Sequence, residues 1–183
     1  MGELMPIDWQ EMYDQIGRAY ISWFIRAQSL KSSADIIWRE IEHTLYNERG
    51  FPYHHNTVED QVEEVYLMLI GMSIENALKA LYIINNPELV TNGKMNPKWK
   101  NGHDLVTLAE LSGYVCNEIN IDLLRNLSGY IKWAGRYPIP QKVSPDPIKD
   151  YPMILLPIQK VQIDLLLKGI FSRVEEASQD DKK

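Results

Sequence analysis

The sequence predicts an all-α fold, a bundle of five to six helices, on three observations. Apolar residues recur at i, i+3, i+4 and i+7 through most long stretches of the 183 residues, and the alternation of a half-buried strand is nearly absent. Residues suited to opening and closing helices punctuate those stretches: Asp8, Asn56, Asp104 and Asn120 at starts, Gly50, Pro87, Gly135 and Pro138 at ends. One stretch, 65–84, is almost continuously apolar, as a helix surrounded by others would be.

The elements follow in order. A first helix is expected over 8–30, capped by Asp8, with Trp9, Met12, Tyr13, Ile16, Tyr20, Trp23, Phe24 and Ala27 as its stripe. That stripe is read as core or dimer interface. Stacking on nucleic acid would need interleaved cations, and Arg18 and Arg26 are outnumbered by Glu3, Asp8, Glu11 and Asp14. Lys31-Ser32-Ser33 is a weak break before a second helix on Ile37, Trp38, Ile41 and Leu45. Gly50-Phe51-Pro52-Tyr53-His54-His55-Asn56 reads as a loop. Asn56 and Thr57, with Glu59 and Asp60 in the first turn, open the longest helix, which should reach Asn85 or Asn86. Asn92-Gly93-Lys94-Met95-Asn96-Pro97 is a turn-rich connection.

Asn101 as cap and Asp104 as first-turn acid begin a helix over 103–117. Asn120 and Asp122 open the next, on Leu123, Leu124, Leu127, Tyr130, Ile131 and Trp133, with Gly135 as its stop. Prolines 138, 140, 145, 147 and 152 make 136–152 irregular. A last helix over 157–177 rests on Val161, Leu165, Leu166, Ile170 and Val174, and 178–183 is a polar tail. Residues 1–177 are read as a single helical domain, since each stripe needs another helix to cover it.

Composition narrows the function classes. Net charge is −6, distributed as −8 over 1–93, +3 over 94–142 and −1 over 143–183. The acidic total argues against non-specific nucleic-acid binding, while the basic middle leaves room for one focused phosphate contact. The single Cys116 excludes an internal disulfide framework and suits a reducing, cytoplasmic setting. The acidic N-terminus does not read as a signal peptide, and no membrane span is expected, Met153-Ile154-Leu155-Leu156 being short and followed by Pro157.

Two segments concentrate polar groups on apolar surroundings. Glu75 and Lys79 stand one helical turn apart among Ile74, Ala77, Leu78, Leu81 and Tyr82. Gly102-His103-Asp104-Leu105 puts an imidazole and a carboxylate at a helix start. One reading is a structural polar clamp of Glu75, Lys79 and Asp104 between helices, the further hydrogen bonds a buried pair needs coming from His103 or Asp104. The other is a cleft for phosphate or a base. Trp133-Ala134-Gly135-Arg136-Tyr137-Pro138 also reads two ways. It is a helix C-cap with left-handed Gly135, Arg136 on the last carbonyls and Tyr137 packed back on Trp133, or it is a phosphate or dimer contact by Arg136 flanked by aromatics.

The run Glu75, Ala77, Lys79, Ala80, Leu81, followed by His103, Leu105 and Leu108, resembles the HEPN superfamily over the central third of the chain. The resemblance implies an all-helical, usually dimeric domain associated with RNA or nucleotides, often in prokaryotic defence or toxin–antitoxin systems and sometimes beside a nucleotidyltransferase partner. Catalytic members carry an Arg followed four to six residues later by a His, late in the domain, and cleave RNA without metal. Here Arg125 and Arg136 are followed by no His. The one match in spacing, Arg49 to His54 with His55 next, falls in an early loop; with Glu42 and His43 it is also a weak metal signal.

The expectation is therefore a HEPN-like binding or assembly domain, non-catalytic and homodimeric, associated with RNA or nucleotide through Lys79, His103, Arg136, Trp133 and Tyr137. No metal or cofactor is expected. The first alternative is a metal-independent endoribonuclease using Arg49 and His54, or Arg136 with His103. The second is a scaffold without a ligand, docking through its aromatic N-terminal helix.

Overall fold

The computed structural model describes residues 8–43, 58–95, 102–137 and 159–180. These form an all-α bundle. Its helices are α1 (Trp9–Arg18), α2 (Tyr20–Ile41), α3 (Val58–Asn85), α4 (Leu105–Ser112), α5 (Glu118–Gly129) and α6 (Lys160–Asp180). Between α3 and α4 come a 3-10 turn (Pro87–Leu89) and an antiparallel ribbon of β1 (Val90–Thr91) and β2 (Lys94–Met95). The ribbon turns on Asn92 and Gly93, both at positive φ (55° and 67°), a two-residue connection whose twist suits a hairpin. At two residues per strand it shows no alternation, so the sequence reads there as a connection only.

α3 is the axis of the core. Its Tyr66, Leu67, Ile70, Ile74, Ala77 and Leu78 are buried among residues of α2, α4, α5 and α6. α2 lies alongside through small residues, Ala27 and Ala34, and the buried Ser73 hydroxyl of α3 donates to the Ala27 carbonyl at 2.8 Å. Leu105, Leu108 and Ala109 of α4, Leu123, Leu124 and Leu127 of α5, and Ile163, Leu166, Leu167 and Ile170 of α6 close the other sides. Farther along, Phe24 of α2 meets Phe171 of α6 edge to face at 5.2 Å, with Leu81 and Val174 beside them. α3 also corrects the membrane expectation: its stretch Val62–Asn85 is long and apolar enough to cross a bilayer. Most of it is buried inside the protein, where an axial helix of a bundle needs the same composition.

Several boundaries differ from the sequence reading. The expected helix over 8–30 breaks at Ala19, which is extended (φ −78°, ψ 104°). The break lets α1 lie against β1, where a Cβ on Gly17 would stand 2.5 Å from Val90 Cγ1, and the Trp23 indole takes the Gly17 carbonyl at 2.8 Å. Conversely, α2 runs straight through Lys31-Ser32-Ser33. Ser29 and Ser33 fold their hydroxyls onto carbonyls one turn back, and Lys31 pairs with Asp35 at 2.6 Å. The helix expected over 103–117 stops at Gly113 (φ 73°), whose N–H and that of Tyr114 both reach back to α4 carbonyls. Asn117, not Asn120, caps α5, accepting the Asn120 N–H at 2.8 Å. α6 continues to Asp180, into the expected tail. Its core face is Ile163, Leu166, Leu167, Ile170 and Val174, while Val161 and Leu165 of the expected stripe are exposed.

Candidate functional site

Glu75 is the centre of the polar arrangement. It lies on α3 with Ile74, Ala77 and Leu78 buried around it. Its Oε1 accepts from Lys79 Nζ at 2.5 Å, one turn on, and both side chains are buried. Its Oε2 lies 2.9 Å from His103 Nδ1 in the turn before α4. A carboxylate only accepts, so Nδ1 donates, and the rest of the half-exposed imidazole faces outward. The Lys79 ammonium also stands 5.4 Å from the centre of the Trp23 ring on α2, a cation–π distance. One carboxylate thus fastens three segments: α3, the turn at His103 and, through Lys79, α2.

Asp104 belongs to the same turn but not to the Glu75 cluster. It caps α4, its side chain accepting from Thr107 N–H at 3.2 Å. The next N–H, of Leu105, donates to Ser128 Oγ at 3.0 Å, and that hydroxyl donates to the Leu124 carbonyl at 2.7 Å. The clamp of Glu75, Lys79 and Asp104 is therefore two neighbouring devices that fix one turn, and His103 rather than Asp104 completes the first.

The Arg136 region lies elsewhere. α5 passes into a π-helical turn, Tyr130–Ala134, and ends at Gly135. Gly135 is not left-handed (φ −77°, ψ 1°). A glycine stands there because a Cβ would meet Met68 Cβ at 2.5 Å and the Glu64 carbonyl at 3.1 Å. Arg136 does reach back, donating to the Lys132 carbonyl at 2.6 Å, and its guanidinium sits 5.4 Å from the Tyr137 ring. The Tyr137 N–H donates to the Trp133 carbonyl at 2.9 Å. Contact with Met68 places this end seven residues before Glu75 on α3, about 10 Å of helix at 1.5 Å per residue. Within one chain, Arg136 and His103 are not brought together. Arg49, His54 and His55 lie outside the described residues, which contain no group of three metal-ligating side chains.

Sequence reasoning missed a second polar network. Asp14 on α1 is buried and accepts from the backbone N–H groups of Asn92 and Gly93 at 2.8 and 2.9 Å. Arg18 pairs with Asp14 at 3.3 Å, donates from Nε to the Val90 carbonyl at 2.6 Å, and reaches Thr91 Oγ1 at 3.2 Å. The signal was present: Asn92-Gly93 is a turn with free N–H groups, and Asp14 and Arg18 are off the apolar stripe of α1.

That stripe faces outward. Trp9, Met12, Tyr13 and Ile16 are 67%, 38%, 42% and 53% exposed. The face turned to the protein carries Asp14, Gly17 and Arg18, so α1 is an amphipathic helix with its polar side inward. At the α4–α5 corner, a cavity of about 260 Å³ is lined by Val106, Tyr114, Cys116, Ile121 and Leu124. Burial pushes the Cys116 thiol and the Tyr114 phenol up from their ordinary values, the thiol adding to the shift of the phenol.

Comparison with known protein families, curated proteins and solved structures returned no match. The chemistry must be read from the geometry. The Glu75 cluster is a fastening with a half-exposed imidazole, and α1 presents an apolar surface and is held to the ribbon by polar contacts.

Proposed function

We propose that this chain is a HEPN-like binding and assembly domain, non-catalytic, that acts by docking another protein. The observation that carries the reading is the reversed α1, whose large apolar side chains point to solvent while Asp14 and Arg18 hold its other face to the ribbon. Isolated exposed apolar residues are ordinary, but four on one helical face form a patch. The RNA or nucleotide association expected from the resemblance has less behind it. Lys79 is engaged by Glu75, and Arg136 sits at a helix C-terminus, where the carbonyl end disfavours an anion.

The test is direct. Trp9→Ser combined with Ile16→Ser should change the thermal midpoint of the chain little, because more than half of each side chain is exposed. A drop of more than about 1 kcal/mol in stability would show that the face packs on its own chain and would sink the reading. RNA and nucleoside triphosphates should show no binding at low salt, and RNA should stay intact. Salt-sensitive RNA binding that weakens in Arg136→Ala would return the function to nucleic acid.

A further inference from the structure

We infer that the cavity at the α4–α5 corner is a binding site for a small apolar molecule carrying one hydrogen-bond donor, an amine or a ring N–H, and that it disfavours carboxylates. The site shares no residue with the Glu75 cluster or with α1, so it stands independently of the docking reading. Its volume is about 260 Å³. A dry apolar cavity of about 150 Å³ already admits benzene, so this one has room for two fused rings.

The corner is held open by its own chain. Gly113, left-handed, ends α4, and a short link leads to Asn117, which caps α5. The Tyr114 N–H is tied to the Ala109 carbonyl at 2.9 Å, and the Asn117 side chain accepts from Asn120 N–H at 2.8 Å, so both ends of the link are fixed. The Tyr114 phenol is fixed as well. Its hydroxyl packs where α6 carries Gly169, whose Cβ would stand 2.7 Å from that oxygen. Buried Ala109 and Leu124 form the floor of the cavity, and half-buried Val106 and Ile121 its walls. Val115, 91% exposed, marks the mouth. An apolar lining with a few polar groups is the usual composition of a ligand pocket.

Three polar side chains decide what the molecule carries. Tyr114 and Cys116 lie close enough for the thiol to add to the upward shift of the phenol, and burial pushes both up, so each keeps its proton at neutral pH. Neither offers a charge to the ligand. Glu110, at the exposed rim, is the one formally charged side chain among the described residues that line the cavity. A carboxylate only accepts, so a donor on the ligand finds a partner there. A ligand carboxylate meets a like charge instead, with no cation in the lining to offset it.

The experiment uses the full chain and three probes that share one ring system: indole, tryptamine and indole-3-acetate. Indole and tryptamine should bind saturably in calorimetric titration, with half-saturation below about 1 mM, as molecules of about ten heavy atoms allow. Indole-3-acetate should bind at least about threefold more weakly than tryptamine, the size of effect an exposed charge gives. Glu110→Gln should erase that preference and leave indole binding unchanged. Tryptamine at several times its half-saturation should slow alkylation of Cys116, the single cysteine, by N-ethylmaleimide at least about fivefold. Val106→Trp, which fills the cavity, should abolish binding of all three at an unchanged circular dichroism spectrum. No saturable binding of indole or tryptamine would overturn the proposal and make the corner a packing gap. Binding that leaves Cys116 alkylation unchanged would overturn it by placing the ligand elsewhere. Equal affinity for tryptamine and indole-3-acetate, or a preference that survives Glu110→Gln, would overturn the donor assignment. The titrations and the alkylation of the unaltered chain decide the matter even where Val106→Trp fails to fold.

Discussion

Glu75 decides the most at the scale of single residues. Its two oxygens serve Lys79 and His103, and removing it leaves the Lys79 ammonium buried beside Ile74 and Leu78 with its carboxylate gone. Glu75→Ala should therefore cost about 3–5 kcal/mol in urea unfolding, and Lys79→Ala a similar amount. The double variant Glu75→Leu/Lys79→Met should recover most of that loss, because a buried pair is often replaceable by apolar side chains of similar volume. A double variant as unstable as either single one would mean that the pair does more than satisfy itself. His103→Ala should cost less, since its ring is half exposed. A second buried group behaves oppositely. Tyr66 is fully buried and its hydroxyl finds no hydrogen-bond partner among the described residues. Burial pushes that phenol up, with Asp164 and Asp35 adding to the shift. The folded chain thus holds the proton more tightly than the unfolded one. The phenol's contribution is complete below the ordinary tyrosine value near 10 and falls as pH rises above it. Tyr66→Phe should stabilise by about 1–2 kcal/mol at neutral pH and flatten the alkaline limb of the stability curve. An unchanged alkaline limb would show that the phenol is not the group that titrates there. The Glu75–Lys79 pair was legible in the sequence from its spacing and apolar neighbours. His103 as its partner was only an option, because sequence order does not fix which turn lies over which helix.

Elements show where periodicity suffices and where it fails. α3 was readable because its apolar content surrounds it on all sides, leaving no choice of face. α1 was readable as a helix, but core and dimer interface stood as alternatives for the stripe: Phe24 and Ala27 at its end are buried in α2, whereas Trp9, Met12, Tyr13 and Ile16 of α1 are exposed. Periodicity reports that a helix has two faces; which one is buried depends on what the rest of the chain offers. Here the ribbon offers the N–H groups of Asn92 and Gly93 and the Val90 carbonyl, which suit a carboxylate and a guanidinium. Gly113 was passed over because the apolar pattern continues beyond it, yet its left-handed φ ends α4. Two measurements follow. Asp14→Ala removes the acceptor of two backbone N–H groups and the partner of Arg18, and should cost about 1.5–3 kcal/mol. Asp14→Asn, which keeps one acceptor, should cost less, and equal losses would mean that size rather than hydrogen bonding matters there. Gly113→Ala should destabilise by about 1 kcal/mol from the left-handed conformation alone, there being open space around its Cβ position.

The whole molecule divides by how its parts are held. α3 is clasped by α2, α4, α5 and α6 through a continuous apolar core, so its amides can exchange only when that core opens. α1 is attached through Asp14, Arg18 and the close approach of Gly17 to Val90, with its large apolar side chains only partly covered. Polar attachments at a surface open more cheaply than a core, so α1 and the ribbon should form a separate unit of lower stability. Native-state hydrogen exchange should show the 70–83 amides protected to the level of global unfolding, and those of α1 protected less. Asp14→Ala should lower protection in α1 and the ribbon together while leaving α3 relatively unaffected. Equal protection of α1 and α3 would contradict this division and would mean that α1 belongs to the core unit. The same measurement reaches function. An element that opens locally in the isolated chain gains most from a partner on its free face, so occupation of the α1 strip should raise protection there and leave α3 at its existing ceiling.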